Sequence, residues 1–209
     1  MNINDKIKFI INVMSKHKLP FTELNYSSDY ELLIAIVLSA QCTDARVNKV
    51  TPSLFKKYND YKSLANADEN DVYNIIKSIS YPNIKSKRII YIAKCIHNDY
   101  YDNIPNDINQ LVLINGIGRK TANLILSILY DYNGIAVDTH VIKVSNRLGL
   151  VASSDPECIE YELQELFPVK YYKWINAWFV YIGRYICNAK KPKCSTCPLN
   201  QACLSANLC

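Results

Sequence analysis

Leu113-Ile-Asn-Gly-Ile-Gly-Arg-Lys-Thr-Ala-Asn-Leu-Ile-Leu-Ser-Ile-Leu129 runs from the end of one apolar helical pattern, through a Gly-x-Gly turn, into the start of another. Two helices joined this way leave several backbone N–H groups unpartnered at the start of the second. Those donors and the helix dipole form a ready anion site, which Arg119 would complete. Gly-Ile-Gly alone also fits an ordinary helix–helix turn. The pair Arg119-Lys120 is what sets this one apart, because the positive end of a helix dipole repels cations. A lysine amine is a nucleophile only when deprotonated, and both the helix start and Arg119 disfavour the ammonium form, as would partial burial. A placement poor for stability therefore suits chemistry, and breaks of a local rule cluster at functional sites.

Outward from the hairpin, helical spacing dominates. Ile7, Ile10, Ile11 and Met14 mark one face of a first helix. Leu32, Leu33, Ile36 and Val37 mark a second, with Tyr30-Glu31 at its start, and Val47, Val50, Leu54 and Phe55 a third despite Pro52. Helices are expected over Asp71–Ile79 and Ile84–His97, split by Tyr81-Pro82-Asn83, and over the short Asp107–Ile114. Others fit Thr121–Tyr130, Thr139–Leu148, Asp155–Phe167 and Tyr171–Ile186. No sustained period-two alternation occurs, although Gly134 to Val137 could be briefly extended. The fold is expected to be all-α, with Asn133-Gly134 a plausible crossing point between lobes.

The 209 residues are 49% hydrophobic and 21% charged, as in ordinary globular proteins. Five Gly, 8 Pro and the absence of low-complexity tracts leave little room for disorder. The N-terminal segment is a poor signal peptide, since Lys6 and Lys8 interrupt its apolar stretch. No run of about 18 uncharged apolar residues suggests a membrane span, so no membrane partner and a cytoplasmic location are expected. The net charge of +5 is uneven. From Lys170 to Cys209 there are six cations and no Asp or Glu, while the remaining 18 cations and 19 acids nearly cancel. Such a basic tail points to nucleic acid as a partner.

Four of the eight cysteines fall together as Cys187-x6-Cys194-x2-Cys197-x5-Cys203. In a chain without secretory features, such a group reads as metal ligands rather than disulfides. Structural zinc usually takes two short Cys pairs. One short pair flanked at medium distance suits an iron–sulfur cluster better, each sulfur binding a different iron. Ligation would rigidify the tail and present Lys190, Lys191 and Lys193 outward as phosphate contacts. Cys42, Cys95, Cys158 and Cys209 show no partner spacing and read as buried or incidental thiols. Asp138, in Val137-Asp-Thr-His140, stands just before a periodic helix, so its simplest role is N-cap; cap and catalytic carboxylate can coexist in one residue. His140, in the first turn, reads as structural.

Taken together, Leu113-x-x-Gly-Ile-Gly-Arg-Lys-Thr-Ala, Val137-Asp-Thr-His and the cysteine tail resemble the endonuclease III family, DNA glycosylase/AP lyases of the helix-hairpin-helix superfamily. Leu38-Ser-Ala-Gln-Cys-Thr-Asp44 resembles the family's early segment, and the likeness covers essentially the whole chain. It implies two helical lobes: a six-helix lobe over residues 21–132 with the hairpin, and a second lobe of residues 1–20 plus 133–209 holding a 4Fe-4S cluster on Cys187, Cys194, Cys197 and Cys203. It implies damaged double-stranded DNA as substrate, oxidised pyrimidines as the excised bases, a monomeric enzyme, Lys120 as nucleophile and Asp138 as its acidic partner. Gln41 matches the residue that fills the gap left by a flipped nucleotide. Tyr81 falls where a second, apolar wedge is usually Leu, and Gly116, Gly118 and Arg119 fall where the hairpin meets phosphate. Asn115 replaces a common Pro, and Val112 a common acidic residue. The adenine glycosylase branch shares the hairpin and cluster but lacks a lysine at position 120, and a non-catalytic DNA-binding protein would not need the Lys120/Asp138 pair.

Overall fold

The structure, a computed structural model, describes residues 1–130 and 132–206. Its order is α1 (Ile3–Met14), α2 (Asp29–Leu38), α3 (Asp44–Lys57), α4 (Tyr61–Ala65), α5 (Glu69–Ile76), α6 (Pro82–Tyr100), α7 (Ile108–Leu113), α8 (Arg119–Leu129), α9 (Thr139–Leu148), α10 (Pro156–Leu166) and α11 (Tyr172–Tyr181). A π-helical turn over Ile182–Ile186 extends α11, and short 3-10 turns follow at Cys194–Thr196 and Asn200–Ala202. No strand occurs among the described residues, and no described helix is long and apolar enough to cross a membrane.

Contacts divide the chain into two units. One, Glu23–Tyr130, carries α2 to α8. Its centre is α2, apolar all round and buried from Leu32 to Leu38, as expected of a core helix. The long α6 packs on α4 and α5, and α8 packs on α7 and α2. Periodicity gave no sign of α4, which has five residues. A capping box holds it instead, with the Asp60 side chain accepting from Ser63 N, and the Ser63 side chain accepting from Asp60 N. The Tyr81-Pro82 breaker is the start of α6, with Pro82 in the first turn, where its missing N–H costs nothing.

The other unit gathers Met1–Thr22 with residues 132–206. Ile7, Ile10 and Met14 of α1 join Val141, Val144, Ile159, Leu163, Ile175, Trp178 and Phe179 in one core. Helix α9 spans the expected Thr139–Leu148 residue for residue. The segment before it forms no strand, yet Ile135, Ala136 and Val137 are buried. The Asn176 side chain donates to the Ala136 carbonyl at 2.6 Å, which satisfies a buried acceptor and fixes the approach to Asp138.

Candidate catalytic residues and nucleic-acid interface

In the hairpin unit, Ile114 and Ile117 are buried and anchor the turn, which closes with Ile117 N donating to the Ile114 carbonyl at 2.9 Å. Gly116 sits at φ 103°, a backbone conformation that disfavours any side chain. An added Cβ would also lie 2.7 Å from Cγ and Cδ of Arg88, on α6. Gly118 differs: its φ is −86°, and nothing lies within 4 Å of an added Cβ. It is the N-cap of α8 and supplies no side-chain cap, whereas Asn2, Ser28, Thr43, Asp60, Asp68, Asp107, Asp138 and Asp155 each cap the helix they precede. The start of α8 thus has no side-chain cap and lies beside an open glycine, an arrangement that suits an anion site.

The two glycines should therefore respond differently to substitution. Gly116→Ala is expected to lower stability by about 2 kcal/mol through the left-handed backbone and the Arg88 clash. Gly118→Ala should leave stability within about 0.5 kcal/mol, and, if the open start of α8 takes an anion as the sequence implies, should weaken duplex DNA binding by crowding that anion. Thermal unfolding and a binding titration on both variants check this; equal destabilisation would contradict it.

Arg119 is half-buried and Lys120 is exposed. Lys120 is not partly buried, because the second position of α8 points away from the buried stripe of Ala122, Ile125 and Leu126. Its amine makes no side-chain hydrogen bond or ion pair among the described residues. Leu113, at the hairpin tip, is 79% exposed, an unusual position for a large apolar side chain.

Gln41 and Tyr81, in the same unit, share an uncommon feature: both are non-glycine residues with left-handed backbone, at φ 52° and 56°. Both are exposed. Lys85, near Tyr81 on α6, is buried, and its spacing with Ile89, Ile92 and Ile96, which puts it on the buried stripe, is the signal in the sequence that marks it.

In the other unit, Asp138 is the N-cap of α9, and its Oδ1 accepts from His140 N at 2.8 Å and Val141 N at 2.9 Å. Its second oxygen has no partner among the described residues. One carboxylate can thus cap with one oxygen and face a substrate with the other. His140 packs against Gly183, where an added Cβ would lie 2.8 Å from the His140 Cβ and 3.0 Å from its ring Nδ1, and that nitrogen is buried without a hydrogen-bond partner.

Cys187, Cys194, Cys197 and Cys203 line one small pocket with Ile186, Pro192 and Asn200. Cys187, Cys197 and Cys203 are free thiols, while Cys194 is disulfide-bonded. Among the described residues no three His, Cys, Asp or Glu side chains converge on a single metal ion. Burial pushes the Cys197 thiol up, so a thiolate there needs positive charge beside it. Arg147 bonds a different cysteine of the group: Nη1 donates to Cys187 Sγ at 3.2 Å and to Asn188 O at 2.9 Å, and Nη2 to Ala189 O at 2.9 Å. Those bonds, with Lys193 N donating to Ile186 O at 2.9 Å, shape the loop on which Lys190, Lys191 and Lys193 are all exposed. Cys42 and Cys95 are half-buried and Cys158 is exposed; Cys209 lies outside the described residues.

Residues 34–169 match the HhH-GPD superfamily base excision DNA repair protein model. Endonuclease III of Rickettsia conorii is 41% identical over 195 residues, covering 93% of each chain. Among solved structures, a non-covalent endonuclease III–DNA complex superposes with a TM-score of 0.92 at 34% identity, covering 100% of this chain and 98% of that one. A trapped endonuclease III–DNA covalent intermediate gives 0.90 at 34% identity, covering 100% and 99%.

Proposed function

This chain belongs to the HhH-GPD superfamily as an endonuclease III-type DNA glycosylase of base excision repair, and from that premise we propose that it removes oxidised pyrimidines and cuts the abasic strand through a Schiff base on Lys120. The observation that carries the reading is the start of α8: an uncapped N-terminus, an open Gly118 and an exposed lysine with no internal partner. The covalent DNA intermediate of a relative 34% identical to this chain supports it.

The damaged nucleotide must leave the stack before its sugar can be reached. The hairpin donors and Arg119 would hold a backbone phosphate, positioning the strand without reading sequence. The Lys120 amine gives its lone pair to C1′, and the glycosidic bond breaks with its electrons leaving on the base, which takes up a proton. Asp138 stabilises the positive charge that develops on the sugar. Ring opening gives the iminium, which acidifies the C2′ protons; loss of one expels the 3′ phosphate, completing β-elimination. Gln41 and Tyr81 would fill the space the flipped nucleotide leaves, the aromatic ring stacking as an intercalating wedge. Lys190, Lys191 and Lys193 would add phosphate contacts whose strength falls with salt.

The four cysteines would hold the 4Fe-4S cluster. They share one pocket, and Arg147 already donates to one sulfur. Ligation requires Cys194 as a thiolate. Bound there, the cluster would supply folding free energy to a tail with little core of its own.

Turnover on duplexes carrying an oxidised pyrimidine tests the function; release of the base with strand scission is expected, and inactivity on every such duplex would overturn the substrate assignment. Protein purified anaerobically should contain about four irons. Cys197→Ser should lose them together with the Lys190–Lys193 contribution to DNA affinity. One bound zinc in place of iron would contradict the cofactor.

A further inference from the structure

Lys85 is 2% exposed, yet no carboxylate pairs with it among the described residues. Its ammonium donates instead to two backbone carbonyls, Leu38 O at 2.8 Å and Ala40 O at 2.6 Å. A buried cation is costly unless fully hydrogen-bonded, and loss of solvent holds this amine below the ordinary lysine range. Its acceptors lie at the end of α2, where the last carbonyls lack helical partners and carry the negative end of the dipole. The next residue is Gln41. At its own backbone, Lys85 N donates to the Tyr81 carbonyl at 3.1 Å, forming the first turn of α6. The amine thus joins the segment just before Gln41 to the first turn of α6, directly behind Tyr81. Arg46 bridges the same two loops, its Nη1 donating to Ser78 O at 3.3 Å.

Left-handed backbone at a glutamine and a tyrosine persists only where the surroundings enforce it. We infer that Lys85 is a positioning residue that locks Gln41 and Tyr81 into one rigid two-point wedge, so that gap filling after nucleotide flipping depends on a buried lysine that never touches DNA. The inference rests on the reading of Gln41 and Tyr81 as wedges. A flexible pair would have to be ordered at the moment of insertion, whereas a pair fixed beforehand does not bear that cost.

The test compares binding to a duplex carrying a tetrahydrofuran abasic analogue with binding to the same duplex undamaged, for Gln41→Ala, Tyr81→Ala, Lys85→Met and the Lys85→Met/Gln41→Ala double variant. Lys85→Met should weaken the abasic complex roughly tenfold and leave undamaged binding unchanged. The double variant should be little worse than either single, because both changes disable one device. Additive losses, or full discrimination in Lys85→Met alongside a loss in Gln41→Ala, would overturn the inference and leave the wedge reading intact. Full discrimination in both Gln41→Ala and Tyr81→Ala would remove the wedge reading, and the inference with it. Should Lys85→Met not fold, Lys85→Gln, which keeps a donor but is too short to reach both carbonyls, takes its place in the same cycle with the same criteria.

Discussion

Lys120→Ala is expected to lower single-turnover strand cleavage at abasic sites by at least about 10³-fold while leaving the fold intact. The two halves of that expectation come from the same observation. Lys120 is exposed and makes no internal side-chain bond, so its removal should change stability by less than about 0.5 kcal/mol. Alanine is also the better helix former at this position. Affinity for an abasic-analogue duplex should persist, because the proposed phosphate contacts belong to the hairpin backbone and Arg119. Lys120→Arg should be as inactive as the alanine variant, since a guanidinium keeps its proton and cannot form the imine. Rapid-quench cleavage assays with thermal unfolding measure both halves; cleavage surviving in either variant would remove Lys120 from the chemistry.

Asp138 carries the second large effect, and its double duty makes two substitutions informative. Asparagine caps a helix about as well as aspartate, so Asp138→Asn should keep the bonds from His140 N and Val141 N and with them the stability. It loses the negative charge and is expected to cost about 10²- to 10³-fold in base excision. Asp138→Ala loses charge and cap together, and about 1 kcal/mol of stability with them. That corresponds to roughly 2–4 °C in Tm for a chain of this size. If Asp138→Asn excises bases at the parental rate, the residue is a cap and nothing more.

The features that sequence showed are those whose cause is local. The α7–α8 hairpin follows from apolar spacing around two glycines, and α9 from a capping aspartate before a periodic run. The cysteine pocket follows from four thiols within seventeen residues. What stayed hidden depends on distant chain. Lys85 reads as an ordinary helix cation until its amine is seen to meet carbonyls 45 and 47 residues upstream. Arg147 gave no hint that it would reach a sulfur 40 residues on. Asn176 looked like any polar residue in an aromatic helix, yet it holds the segment that delivers Asp138. The short α4 fell below the length at which periodicity can be read, and a capping box, not an apolar stripe, defines it. Lys120 lies off the buried stripe of α8 and is exposed, so the partial burial considered for it is absent.

The most direct test of the central claim is to trap the parental protein with borohydride on an abasic-site duplex, digest the adduct and locate the modified lysine by mass spectrometry. One reduced sugar–phosphate remnant is expected, on the amine of Lys120. An adduct at any other lysine, or no adduct under conditions where the strand is cut, would contradict it.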